Sequence, residues 1–303
     1  MRKALLVGLV LALIGAFAAG PQAWAVEGVG AGSTFQFGVD ARALGMGGAF
    51  VAVANSYSAT YWNPAGLAQL SQTTIGGMNT NKFGQGINFN FASAATNFGG
   101  IAVGGTFIGS TISGIETFDA QGNPGATVDD NEMLFAGSAA MGLPLGGMAA
   151  MVGASGKYYD HTLAGEKGTG FGFDAGLLLK LSDNLTIGAA ASDLGGTKIT
   201  WTTGAVDVVP MSSRVGAAFS LTQPVPSTIA VQYDVESGLL HLGAEFRPTE
   251  QIAVRVGAMK PSKGDFSFTA GAGLMLGSIS VDAAFVQNKL LGNSIVLSGA
   301  FGF

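Results

Sequence analysis

From residue 72 onward the chain alternates apolar and polar residues, most sharply in its C-terminal half. Ile229, Val231, Tyr233 and Val235 share one parity; Gln232, Asp234 and Glu236 share the other. Leu240, Leu242, Ala244 and Phe246 oppose His241, Gly243, Glu245 and Arg247. Val254 and Val256 flank Arg255, and Val281, Ala283 and Phe285 oppose Ser280 and Asp282. A period of two marks a strand whose faces meet different surroundings. Turn residues divide the pattern into fourteen segments: 72–80, 85–95, 100–110, 131–142, 147–158, 168–181, 184–195, 207–221, 226–236, 238–247, 251–259, 264–276, 278–287 and 292–303. The connections alternate too. Those at 97–99, 143–146, 182–183, 222–225, 248–250 and 277 are short, whereas 110–130, 159–167 and 196–206 are longer; the short connection at 237 breaks the rule. Outer-membrane barrels pair short periplasmic turns with long external loops. The expectation is an all-β antiparallel barrel, lipid outside and water inside, over residues 72–303. A soluble sandwich alternates as well, so the leader and the C-terminus are needed to separate the two.

Residues 40–70 break the alternation. They hold a glycine cluster (Gly45, Gly47, Gly48), an apolar run, then Tyr61-Trp62-Asn63-Pro64-Ala65-Gly66-Leu67. Asn63 is suited to cap a helix and Pro64 to its first position. The spacing predicts a short helix over 56–61, a corner at Asn63-Pro64 and a helical turn over 65–70. A compact apolar segment ahead of a barrel needs burial, so residues 26–71 read as an N-terminal segment and plug. Within it residues 26–37 are glycine-rich and expected to be loosely ordered.

Arg42-Ala43-Leu44-Gly45-Met46-Gly47-Gly48-Ala49-Phe50 and Tyr61-Trp62-Asn63-Pro64-Ala65-Gly66-Leu67-Ala68 resemble the N-terminal signature of the PorV/PorQ family, a branch of the FadL-like outer-membrane barrels. Arg255, Gly257, Lys260-Pro261, Phe268-Thr269-Ala270-Gly271, Asp282 and Ala284-Phe285 carry a similar likeness near the C-terminus. That resemblance implies a fourteen-stranded transmembrane barrel with a short helical plug, and the count of fourteen is tied to it rather than independent of it. Asn55-Ser56 stand where the family often has acidic residues, so no role resting on those carboxylates carries over. The resemblance to PorV implies an accessory, client-binding barrel of a type IX-like protein secretion pathway, with secretion-channel subunits and exported proteins as partners. The wider FadL-like resemblance implies instead a passive channel for hydrophobic small molecules such as fatty acids. The end motifs match PorV/PorQ better, which places the secretion reading first.

Composition narrows the class. The 303 residues include 49 glycines and only 11% charged residues, yet no apolar run after residue 25 reaches the ~20 residues of a membrane helix. Residues 1–25 read as a cleavable leader: Arg2-Lys3, an apolar core over 4–19, and Ala23-Trp24-Ala25. Cleavage there leaves 278 residues and removes two of the 14 basic residues, so 12 face 19 acidic ones, a net charge of −7. Nucleic acid is not expected as a partner. The absence of cysteine excludes disulfides and thiolate metal sites. The chain ends in Phe301-Gly302-Phe303, an aromatic terminus resembling the signal read by barrel-insertion machinery. Together these place the protein in the outer membrane of a Gram-negative-type bacterium.

Catalytic chemistry finds no support. Gly153-Ala154-Ser155-Gly156-Lys157 fits neither a nucleophile elbow nor a phosphate loop. The two histidines, His161 and His241, lie far apart without metal spacing, so neither is expected to hold a metal, and no cofactor is expected. Glu116, Asp119, Asp129 and Asp130 in the 110–130 segment read as a solvated acidic loop; their spacing does not match a calcium loop. The polar-face charges Asp174, Lys180, Arg214, Asp234, Glu245, Arg255 and Asp282 are expected to pair in the lumen with each other or with the plug, Glu245 and Arg255 across neighbouring strands.

Overall fold

The computed structural model describes residues 31–145, 148–289 and 291–303; the expected leader and the turn at 146–147 lie outside them. One antiparallel sheet runs through β1 (Thr74–Lys82), β2 (Ile87–Phe98), β3 (Ile101–Phe118), β4 (Pro124–Leu145), β5 (Met148–Leu163), β6 (Glu166–Lys180), β7 (Leu185–Ser192), β8 (Thr197–Trp201), β9 (Val206–Val209), β10 (Ser212–Leu221), β11 (Ser227–Asp234), β12 (Leu239–Phe246), β13 (Ile252–Lys260), β14 (Ser267–Leu276), β15 (Ile279–Val286) and β16 (Ser294–Gly302). β16 returns to β1, with Thr74 opposite Gly302 and Thr80 opposite Val296, and closes the sheet. Fourteen strands, β1–β7 and β10–β16, make the barrel wall, and the ladder runs unbroken around it.

β8 and β9 are not among the expected strands. β8 continues the line of β7 after an interruption at 193–196 and pairs with the upper end of β6; β9 runs back along β8. The expected strand 207–221 is split at Pro210-Met211, where proline offers no N–H to the ladder. The long loops expected at 110–130 and 159–167 are also mostly strand. β3 and β4 meet at residues 119–123, where Asn123 donates to Asp119 from its side chain and its backbone, holding that carboxyl below the usual range. β5 and β6 meet at Ala164-Gly165, both with positive φ (52° and 87°), a tight hairpin turn. At the tip of the β3–β4 hairpin both faces meet water, which removes the alternation that would have marked it as strand. The remaining external turns, such as 83–86 and 235–238, are short, so the tall hairpins stand on one side only.

The alternation maps onto the wall as expected. Ile229, Val231 and Tyr233 are exposed outward while Gln232 is 1% exposed in the lumen. Outward side chains on the other strands include Phe98, Phe173, Phe219, Val256, Phe268, Val281 and Leu297, a girdle too apolar for water. The hydrophobic core lies inside. A 3-10 turn (Ser33–Gln36), α1 (Ala41–Gly45), α2 (Ala59–Trp62) and a second 3-10 turn (Pro64–Gln69) fill the lumen. Val39, Ala41, Met46, Phe50, Val51, Ala59, Ala65 and Leu67 are all fully buried there. Residues 31–37, expected to be loose, are docked against the external part of the wall: Phe35 meets the Tyr159 ring edge-on at 5.5 Å, and Thr34 reaches Glu132.

Much of the glycine excess has a steric cause. At Gly153, Gly176, Gly188, Gly243 and Gly257 a Cβ would overlap backbone or side-chain atoms of residues 46–65. The wall is kept bare where the plug backbone passes. Replacing Gly176 or Gly257 by valine therefore leaves the strands intact and excludes the plug. The expected outcome is a variant that still gives the compact, heat-modifiable barrel band, but in which proteinase K removes the N-terminal segment up to about residue 70 that the wild type protects.

Candidate functional site

The plug is held by polar side chains that answer its backbone. Asn63 donates through Nδ2 to Val51 O (2.9 Å), Leu177 O (3.1 Å) and Ala189 O (3.3 Å), and its Oδ1 accepts from Ala65 N. It thus ties the plug to β6 and β7 and caps the turn that Pro64 opens, as its sequence context predicts. Trp62 Nε1 donates to Val39 O, and Gln232 Oε1 accepts from Phe50 N and Val51 N. Gly47 and Gly48, with φ of 66° and 76°, turn the chain beneath His241, whose Nδ1 is 2.6 Å from Gly47 O. Gly45 lies against Gly271, and Gly66 leaves room for Ala54 O.

Three charge groups line the lumen. Towards the short-turn end Glu245 is the hub. Arg42 of the plug grips it with two hydrogen bonds (2.8 and 3.0 Å), Arg255 meets it at 2.6 Å and Arg247 at 3.0 Å. Arg255 also binds Asp282 at 2.6 Å. Glu245 and Arg255 are direct partners across β12 and β13, as expected. Asn55 accepts from Arg42 Nη1 at 2.8 Å. Asp40 receives Arg42 N, Ser58 and Ser298.

The second group surrounds Lys157, which lies 2.7 Å from both Asp174 and Asp193. Tyr159 and Thr197 donate to Asp193 as well. This group holds the interruption between β7 and β8, where Asp193 has φ 55°. Lys157 and Asp193 are absent from the sequence-based set. Lys157 shares the inward parity of Tyr159, which is a usable signal, but Asp193 is inward only because of the interruption.

The third group departs from expectation. Asp234 pairs with His241 (3.1 Å) and accepts from Gln232. Arg214 was expected to pair, and it forms no ion pair among the described residues. It lies over the Tyr61 and Trp62 rings at 5.3 and 5.6 Å, with Nη1 lacking a hydrogen-bond partner. Asp234, its direct cross-strand partner on β11, lies beyond ion-pair distance, and aromatic faces take the place beside the guanidinium. Lys82, 5% exposed, likewise has no carboxylate partner among the described residues; it sits between the Phe37 and Phe89 rings, with Phe37 O at 3.5 Å. Both cations border an external-side cavity of about 340 Å³, walled by Phe37, Leu44, Trp62, Phe83, Met259 and Val286. Lys180 is exposed at the barrel rim rather than in the lumen. Phe301 and Phe303 face outward with their rings stacked at 5.4 Å.

No protein-family model and no curated protein matches the sequence. Solved structures do match in fold. A FadL homologue of Pseudomonas aeruginosa aligns over 88% of this chain and 98% of its own, with a TM-score of 0.58 at 11% identity. The toluene transporter TodX of Pseudomonas putida aligns over the same shares, with a TM-score of 0.57 at 12% identity. The fold is that of the FadL-like outer-membrane barrels.

Removing Glu245 leaves the Arg42 guanidinium without a carboxylate partner and takes one of two from the buried Arg255. The Glu245→Ala barrel is expected to lose about 3–5 kcal/mol, read as a lower urea midpoint for refolded protein in detergent or lipid.

Proposed function

We propose that the protein is a passive entry channel for hydrophobic small molecules bearing an anionic head, such as fatty acids. The observation that carries this reading is the external cavity. Its walls are largely apolar and aromatic, with Asp234 and His241 on one side, and Lys82 and Arg214 border it without forming an ion pair among the described residues. Lys82 meets only the Phe37 and Phe89 rings and the Phe37 carbonyl, and a buried cation without a counter-charge is costly. A carboxylate entering head-first beside Lys82 supplies the missing charge, while its chain covers the aromatic wall. The FadL-like fold, shared with a toluene transporter, supports a channel over an enzyme.

The PorV/PorQ resemblance rests largely on residues with structural work in this chain. Trp62, Asn63, Ala65 and Gly66 are buried in the lumen, and Arg42 is locked onto Glu245. None of these offers a surface to an exported client, so their match does not favour the secretion reading over transport.

With the lumen filled and the ladder closed, passage requires the plug to shift. Thr60 of the plug and Ser93 of β2 have hydroxyls 3.1 Å apart, and the chain has no cysteine of its own. A Thr60→Cys/Ser93→Cys variant therefore allows one tether. Expressed in cells lacking their own hydrophobic-compound channels, the wild type is expected to raise uptake of a labelled long-chain fatty acid. The oxidised variant is expected to fall to background, and reductant to restore it. Unchanged uptake with the tether closed refutes passage by plug movement, and no uptake by the wild type refutes the channel.

A further inference from the structure

The tall hairpins bring together three side chains that lie apart in sequence. Glu132 on β4 is the direct cross-strand partner of His161 on β5, and Asp130 is two residues from Glu132 on the same face. His161 Nε2 lies 2.7 Å from Asp130 Oδ1, and one ligand atom from each of the three residues falls within 4.8 Å of the other two. We propose that Asp130, Glu132 and His161 form a binding site for a divalent cation of borderline softness, with Zn²⁺ as the test ion.

The donor set fits such an ion: one imidazole and two carboxylates, with a further position open to water. Donor atoms around a tetrahedral zinc stand roughly 3.3 Å apart, given bonds of about 2.0–2.2 Å. The three ligand atoms, within 4.8 Å of one another, stand close to that spacing. The surroundings support the same reading. Thr34 donates to Glu132 Oε1 at 2.8 Å and so orients the carboxylate while leaving Oε2 for the ion. Trp201 packs on the imidazole at 4.7 Å between ring centres and donates through Nε1 to Asp207, a third carboxylate beside the cluster. His161 Nδ1 is buried without a hydrogen-bond partner. No lysine or arginine forms an ion pair with Asp130, Glu132 or Asp207 among the described residues, and the single His161 can balance at most one of these three carboxylates. An ion here joins β4 to β5 and, through Thr34, fastens the start of the N-terminal segment to the external wall.

The test is calorimetric titration of Zn²⁺ into the untagged full chain in detergent at neutral pH. Competing ligands are few, since the chain has two histidines and no cysteine. The expected result is one saturable site per chain, with Glu132→Gln, Asp130→Asn and His161→Gln each weakening it more than about tenfold. The exposed acidic residue Asp265, replaced by asparagine, serves as control and leaves binding unchanged. The heat-modifiable band verifies folding of each variant, and any one folded variant is sufficient to decide. Absence of saturable binding, or binding that folded ligand variants retain at wild-type strength, overturns the proposal.

Discussion

Backbone polar groups in the lipid-facing wall and in the buried plug must find partners without bulk water, and that constraint shapes both wall and filling. The wall meets it by closing on itself through β1 and β16. The plug has only short helices, too short to satisfy their own peptide groups, so the wall supplies side chains for them. Gln232 accepts two plug N–H groups, Thr269 donates to Gly45 O, and His241 bonds Gly47 O. Asn63 does the reverse, donating from the plug to carbonyls of β6 and β7. Glycines on the inward parity let the two backbones approach closely enough for these bonds to form. Packing and hydrogen bonding are therefore one arrangement here, and the high glycine content is its compositional trace.

The barrel, the plug and the Asn63-Pro64 corner were legible in the sequence because each leaves a local mark: period-two alternation, its interruption, and a cap residue followed by proline. The Glu245–Arg255 pair was legible because opposed parity on neighbouring strands sets register. Other features were not, for definite reasons. The tip of the β3–β4 hairpin loses its alternation where both faces meet water, and β8 is too short to show one, with Thr197 and Ile199 as its inward residues. Asp193 turns inward through a local break that parity does not encode. The absence of an ion pair at Lys82 and Arg214 is a property of three-dimensional neighbours, and nothing in the strand pattern distinguishes a paired lumen charge from an unpaired one. The Asp130–Glu132–His161 group was hidden because Asp130 and His161 fell in expected loops, so neither was expected to neighbour Glu132 at the end of strand 131–142.

The distribution of these charges divides the lumen. Towards the short-turn end three arginines converge on one glutamate, with Asp282 and Asp40 close by, and the plug contributes Arg42 to that group directly. Towards the tall hairpins the N-terminal segment is held by fewer bonds: Thr34 to Glu132, Tyr61 OH to Phe35 O, and Gly38 N to Tyr61 OH. Breaking the first group leaves buried charge uncompensated, whereas lifting residues 31–38 separates mostly neutral groups and aromatic contacts. The cheaper motion is therefore at the external end. It is also the useful one, because Phe37 and Gly38 line the cavity that Lys82 and Arg214 border. In the proposed channel, an anionic guest that pairs with Lys82 would be admitted by displacing this segment while Arg42 keeps the plug anchored to Glu245. Further passage must then disturb that anchor, and the chain's most strongly paired charges stand where a selective barrier is needed.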